Sequence, residues 1–391
     1  MKLKTLLLLT TLLILSCNEK KPTPTELVNK IVKSYESKSS LSYDINYQIK
    51  FFSQVDDTTK ASAKIDLIRA TTDSILGGYV WIEADTIARY YDTKFLYFIE
   101  HNKKTITKYP QDKPYAITGN TIGEAIRIYF LKPNRLVKSV ADTSSTIELT
   151  DDLIAGRDVR KLSLQFADDE YTENSWKNIW IDKKDNAIPK INFSADMQGE
   201  NQYNQWDIYN IAYDQTTIKD LEDRLEKLTD QYEVSDYKER TEEEEKPLEN
   251  GTSIPNIAGV TYVDSIQVNL HDYTNKLTLF DFWYMDCFPC IKAIPHLNEL
   301  QQKHQSKGFQ VVGINPYNNN EKDFKRFPNF LEKNKVDYPI VFINREESKA
   351  MRVFAYPTFY LVDNKGVILH SQVGYSEEST NTIDSLIQVY L

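Results

Sequence analysis

The sequence predicts two domains: an N-terminal α+β domain with a large curved antiparallel sheet, and a C-terminal α/β domain. Three observations lead there. The length, 391 residues, exceeds one ordinary domain. Apolar and polar residues alternate through many short segments before residue 214, which is the period of half-buried strands. Near residue 280 a continuous apolar run passes directly into a helical pattern, as a buried strand feeding a helix does. The composition agrees: 41% hydrophobic and 27% charged residues mark a globular chain, and 25 Tyr with 17 Phe favour pleated surfaces. A net charge of −10 without a basic cluster argues against nucleic acid as a partner. Three Cys make neither a disulfide scaffold nor a zinc site of four thiolates.

The chain opens with Met1-Lys2-Leu3-Lys4 and an apolar run over residues 5–15. That run is too short for a bilayer, which needs roughly 20 residues, but fits the apolar region of a secretory signal. Ile14-Leu15-Ser16-Cys17 resembles the lipobox of bacterial lipoproteins. The resemblance implies that residues 1–16 are a lipoprotein signal peptide and that Cys17 becomes the lipidated N-terminus. Several acyl chains hold a protein firmly where a single chain does not. A plain secretory leader with an incidental cysteine is the alternative. Residues 17–24, polar and proline-bearing, would be the tether.

The first folded part is expected over residues 25–238. A short helix begins near Thr25, with Leu27, Val28, Ile31, Val32 and Tyr35 on one face. Leu41, Tyr43, Ile45, Tyr47, Ile49 and Phe51 then alternate with polar residues as a strand does. Further strand-like runs cover 63–70, 74–83, 86–91, 94–100, 105–109, 160–166, 177–182, 190–195 and 204–213. Ile218, Leu221, Leu225, Leu228 and Tyr232 return to helical spacing. An acidic linker is expected over 239–250, because its run of Glu repels itself and extends. Asn178-Ile179-Trp180-Ile181-Asp182-Lys183-Lys184 and Ile188-Pro189-Lys190 resemble the strand–turn–strand signature of LolA/LolB-like folds. That resemblance implies a half-open sheet around a helix, with a possible acyl ligand. A sheet whose concave face is simply filled core is the alternative.

The chemistry lies near residue 287. Leu277-Thr278-Leu279-Phe280-Asp281-Phe282-Trp283 reads as a buried strand. Tyr284-Met285-Asp286-Cys287-Phe288-Pro289-Cys290 follows, and then a helix with Ile291, Ala293, Ile294, Leu297 and Leu300 on its apolar side. Cys287 therefore stands at a helix N-terminus, where unpaired amides and the dipole favour a thiolate. The two-residue spacer brings Cys290 within reach, so that a mixed disulfide can resolve internally. Two other uses of the pair stay open. Zinc would need two more ligands, and neither His296 nor His304 makes a usable pair with the motif. A structural disulfide would close too small a loop to constrain the unfolded chain much.

Over residues 251–391 the sequence resembles the thioredoxin superfamily, specifically the TlpA/ResA-type membrane-tethered thiol–disulfide oxidoreductases. The positions that carry this are Asp281-Phe282-Trp283, the Cys-x-x-Cys, Pro295 within the following helix, Val311-Val312-Gly313-Ile314-Asn315, Tyr356-Pro357-Thr358, and the hairpin pattern of residues 359–368. Residues 321–334, an amphipathic helix before Tyr338-Pro339-Ile340-Val341-Phe342-Ile343, match the subgroup's usual insertion. The resemblance implies a thioredoxin fold and a redox disulfide between Cys287 and Cys290. It also implies Asp281 as a buried acid that relays the proton of Cys290, and Pro357 as a cis-proline shaping the substrate groove. No cofactor or metal is implied. Partners would be disulfide-bearing envelope proteins and a thiol-donor membrane protein, in a lipid-anchored protein of the bacterial envelope facing the periplasm. One position departs from the family: Asp286 stands where Trp is common. A carboxylate beside Cys287 disfavours its thiolate, which tilts the expectation toward a reductant. A lipid- or lipoprotein-binding carrier with an accessory redox domain is the competing function.

Overall fold

The computed structural model describes residues 21–52, 58–111, 129–142, 145–169, 172–197, 199–241, 245–316 and 321–391. Residues 1–20, Cys17 among them, and residues 242–244 of the acidic run lie outside the described residues. Among the described residues no helix is long and apolar enough to cross a membrane.

The N-terminal part opens with α1 (Pro24–Glu36). Thr23 caps it through a capping box with Glu26, and Leu27, Val28, Ile31, Val32 and Tyr35 are buried. Then come β1 (Ser40–Lys50), β2 (Thr59–Arg69), β3 (Gly78–Glu83), β4 (Ile87–Tyr91), β5 (Phe95–Glu100) and β6 (Thr105–Pro110). After them lie α2 (Asn134–Ala141), β7 (Thr146–Ile154), β8 (Arg157–Gln165), β9 (Glu173–Asp182), β10 (Lys190–Met197) and β11 (Glu200–Tyr213). The part ends with α3 (Ile218–Thr229) and β12 (Glu233–Asp236). The strands form one twelve-stranded sheet in the order β12-β6-β5-β4-β3-β2-β1-β11-β10-β9-β8-β7. Among the described residues every pairing is antiparallel except that of the edge strand β12, which runs parallel to β6.

Period-2 alternation sorts the side chains. Leu41, Tyr43, Ile45, Ile65, Leu67, Val80 and Ile82 face α1 and α2 in one core. Ile68, Trp81, Ala88, Tyr90, Ile99 and Ile106 face the opposite way, against Leu221, Leu225 and Leu228 of α3. Arg224 pins α3 to the sheet by a 2.5 Å ion pair with Asp66. Helices thus pack against both faces of the sheet. The expected strand over 74–83 is shorter, because the Asp73 carboxylate accepts the amide N–H groups of Leu76, Gly77 and Gly78 and holds a turn there. Phe51 also departs from expectation: it lies beyond β1 and is 39% exposed.

The C-terminal part contains β13 (Ala258–Thr261), β14 (Gln267–Asn269), β15 (Leu277–Phe282), α4 (Phe288–His304), β16 (Phe309–Asn315) and α5 (Glu321–Asn334). It continues with β17 (Ile340–Phe342), α6 (Arg345–Ala350), β18 (Thr358–Val362), β19 (Ile368–Val373) and α7 (Glu377–Tyr390). Its seven-stranded sheet runs β14-β13-β17-β16-β15-β18-β19. The centre, β15-β16-β17, is parallel, with α4 and α5 as crossovers. β18 and β19 complete one edge antiparallel. Phe280 and Phe282 join one core with Val312, Ile314 and Tyr360. Leu277 and Leu279 point the other way, into a core with Ala293, Leu297 and Leu300 of α4 and Ile383 and Ile387 of α7. Asp384 of α7 bonds both Lys303 and the buried His304 of α4 at 2.7 Å.

Candidate active site

The end of β15 and the start of α4 assemble the site. Trp283 leaves the strand, its N–H still bonded to the Ile314 carbonyl, and the chain turns so that Cys287 becomes the N-cap residue of α4. Cys287 and Cys290 form a disulfide, with Cα atoms 5.2 Å apart. The Cys290 amide donates to Cys287 Sγ at 3.3 Å. In the reduced protein that amide and the helix N-terminus favour negative charge on Cys287. Among the described residues Cys290, one turn into the helix, has no comparable donor, so another group must take its proton.

Asp281 provides a candidate. Strand alternation puts it on the same side of β15 as Leu277 and Leu279, the side that α4 covers. It is 1% exposed, and burial pushes its carboxyl up to about 8, while a hydrogen bond from Tyr338 pulls the other way. The Tyr338 O–H donates to Asp281 Oδ2 at 3.3 Å, and among the described residues Oδ1 has no hydrogen-bond partner. A carboxyl that titrates near neutrality can both accept and return a proton under working conditions. Burial and the neighbouring acid push the Tyr338 phenol well above its usual value, so it stays a donor.

Gly313 makes this arrangement possible. It pairs with Asp281 across the β15–β16 ladder, and a Cβ there would lie 2.7 Å from Trp283 Nε1 and 3.0 Å from Tyr338 Cε2. Only a residue without a side chain lets Tyr338 and Trp283 close over that strand. Trp283 stacks on Phe327 and Phe330, at 5.7 and 5.3 Å between ring centroids, so α5 walls the site.

Pro357 precedes β18, and the Tyr356–Pro357 peptide is cis. Tyr356 packs edge-on to Tyr284 of the redox loop at 5.2 Å, which brings the proline loop beside the motif. Asp286 is half-buried next to Cys287. Of the residues singled out in the sequence, Cys287 and Cys290 share one apolar cluster, Tyr356 of the Pro357 loop packs against it, and Asp281 lies buried on β15, the strand that leads into the motif. Cys17 is outside the described residues. The sequence reading missed Tyr338 as a partner of Asp281. The two are 57 residues apart, and only the β16–β17 pairing brings them together.

Comparison with known proteins agrees with this chemistry. Residues 249–387 match the Redoxin family. Thiol-disulfide oxidoreductase ResA of Bacillus thuringiensis subsp. konkukian is 28% identical over 131 residues, 33% of this chain and 73% of that protein. Thioredoxin-like protein YneN of Bacillus subtilis is 32% identical over 106 residues, 27% of this chain and 61% of its own. Among solved structures, the thioredoxin domain of a thiol-disulfide oxidoreductase from Bacteroides vulgatus is 25% identical. It covers 36% of this chain and 99% of that one, with a TM-score of 0.32. The C-terminal part of this chain is a Redoxin domain of thioredoxin fold, and its activity is that of a thioredoxin-like thiol–disulfide oxidoreductase.

Proposed function

We propose that the protein is a membrane-anchored reductant of disulfides in envelope proteins, with Cys287 as nucleophile and Cys290 as resolving thiol. In the reduced enzyme the Cys287 thiolate attacks a substrate disulfide, forming a mixed disulfide and releasing one substrate thiolate. Asp281 takes the proton of Cys290, whose thiolate attacks Cys287 Sγ. The 287–290 disulfide closes and the second substrate thiolate leaves. Two electrons have passed to the substrate, and a thiol-donor protein at the membrane restores the pair. Pro357 borders the substrate groove. The observation that carries this reading is the capped geometry of the pair, Cys290 N–H on Cys287 Sγ, above a strand whose buried acid titrates near neutrality.

The anchor rests on the lipobox at residues 14–17. Membrane fractionation of a Cys17→Ser variant should move the protein to the soluble fraction, and unchanged partition would refute the anchor. We divide the chain into a sheet domain over 25–238, a linker over 239–250 and the redox domain over 251–391. We take the sheet domain as accessory to the redox chemistry; a tight, stoichiometric acyl ligand on the isolated sheet domain would instead favour the lipid- or lipoprotein-binding carrier. Substrate identity is open to direct test. A Cys290→Ala variant stalls at the mixed disulfide, so envelope proteins should be recovered bound to Cys287. Recovery of none, together with no turnover of insulin disulfides by the parent, would refute the reading.

A further inference from the structure

Cys287 is only 4% exposed and Cys290 1%. A nucleophile that must meet a second sulfur end-on has almost no open face. Much of the cover comes from its own domain, but one piece does not. Phe52, two residues past the end of β1 in the sheet domain, is 6% exposed, while its neighbour Phe51 is 39% exposed. The residues that bury Phe52 are not those of the sheet domain's own cores. It joins the cluster of Trp283, Met285, Cys287, Cys290 and Ile291, and its ring meets Phe288 edge-on at 6.4 Å. Among the described residues it is the sole buried member of that cluster from the N-terminal part.

Two more contacts come from the same side. Met197, the last residue of β10, packs against this cluster. Glu200, the first residue of β11, pairs with Lys333 of α5 at 3.1 Å. A third holds the neighbouring loop: the Arg240 guanidinium lies 4.6 Å over the ring of Phe354, three residues before Pro357. A phenyl ring placed this way excludes water and ligand alike from the redox motif. It leaves only when something else covers the apolar surface or when thermal opening exposes it.

We infer that Phe52 is a specificity-determining residue of the redox site, holding the face over Cys287 until a substrate displaces it. The inference rests on the oxidoreductase reading for its purpose. Disulfides set in apolar, extended segments replace the ring's contacts and gain access; rigid folded surfaces and small polar reagents do not. The sheet domain thus takes part in choosing the substrate, although all the redox chemistry belongs to the other domain.

Access can be measured without turnover. The full chain is reduced, and alkylation of Cys287 by iodoacetamide is followed by mass spectrometry at a pH above the thiol's titration, where the thiolate fraction no longer varies between proteins. Phe52→Ala should accelerate alkylation by about tenfold or more, since uncovering the site no longer exposes a buried phenyl ring. Glu200→Lys leaves the apolar cluster untouched and should accelerate it about two- to fivefold by repelling Lys333. Adding Lys333→Glu to that variant should restore the parent rate. Parent rates in both Phe52→Ala and Glu200→Lys would overturn the inference. Insulin reduction by the same proteins keeps the two readings apart. No turnover by either the parent or Phe52→Ala would refute the oxidoreductase reading, while faster alkylation would still establish the cap.

Discussion

Replacing Asp281 by Asn tests the site through stability as well as through rate. Burial raises this carboxyl from 3.8, the value of an exposed group, to about 8. Between those values the folded chain holds a proton that the unfolded chain has lost, so stability falls as pH rises across the window. The penalty is absent below about pH 4 and complete above about pH 8, where it is on the order of 5 kcal/mol. Asn cannot ionise, and its carbonyl oxygen still accepts the Tyr338 O–H. The variant should therefore be the more stable protein, with an advantage that is small at pH 4 and grows by about 1.4 kcal/mol per pH unit up to about pH 8. Urea unfolding of the oxidised protein at pH 5, 6 and 7 measures it. The C-terminal transition is identified as the one that moves when the disulfide is reduced. An advantage that stays constant from pH 5 to 7 would show that the folded and unfolded chains hold equal protons at Asp281, so that its carboxyl is not raised, and would remove the basis for its role. The kinetic consequence is separate. Stopped-flow measurement should find resolution by Cys290 slowed by about 10²–10⁴-fold, with first attack by Cys287 affected far less. Equal slowing of both steps would make Asp281 a structural residue only.

Tyr338→Phe removes the hydrogen bond from Tyr338 to Asp281, so that carboxyl should rise further and the pH midpoint of resolution should move up by about one unit; an unmoved midpoint in the pH–rate profile would count against the pairing. Gly313→Ala forces a methyl group against Trp283 and Tyr338, and thermal unfolding should show a loss of about 1–3 kcal/mol. Full stability in that variant would mean that the two rings can part freely. Asp286→Asn takes a charge from beside Cys287, so the Cys287 thiol should become more acidic and the reduced form more stable. The reduction potential, measured against glutathione, should then rise by roughly 30 mV for each 1.4 kcal/mol gained, whereas a potential that falls would contradict the electrostatic argument.

Local pattern was enough for the elements that bury one face or both. The alternation of Leu41 to Tyr47 is written in the chain because a pleat has a period of two, and β1 follows it. The capping box of Thr23 and Glu26 and the five apolar residues of α1 are equally local. The start of α4 at Cys287 was legible because a strand run, two cysteines and a helical pattern adjoin one another. Legibility failed where the controlling partner is remote. β7 is largely exposed along its length and exists by pairing with β8 at the sheet edge, so its own residues signal little. β12, four exposed residues, takes its parallel place from the backbone of β6. Phe51 and Phe52 exchanged roles because strand parity stops counting where the strand ends.

What the sequence determined by itself was therefore the chemistry available and where the chain would turn: two thiols three apart, an acid within an apolar strand, a proline ahead of another strand. These depend on residue type and near-neighbour spacing, which the chain carries along its length. Only the tertiary structure decided what surrounds them. Asp281 gains Tyr338 because β17 pairs beside β16 and Gly313 leaves the gap between them open. Phe52 reaches the redox cluster from more than 200 positions away because the sheet domain presents the end of β1 to it. A carboxyl's proton affinity and a thiol's exposure are set by everything packed within a few ångströms, and in a folded chain most of that comes from elsewhere in the sequence.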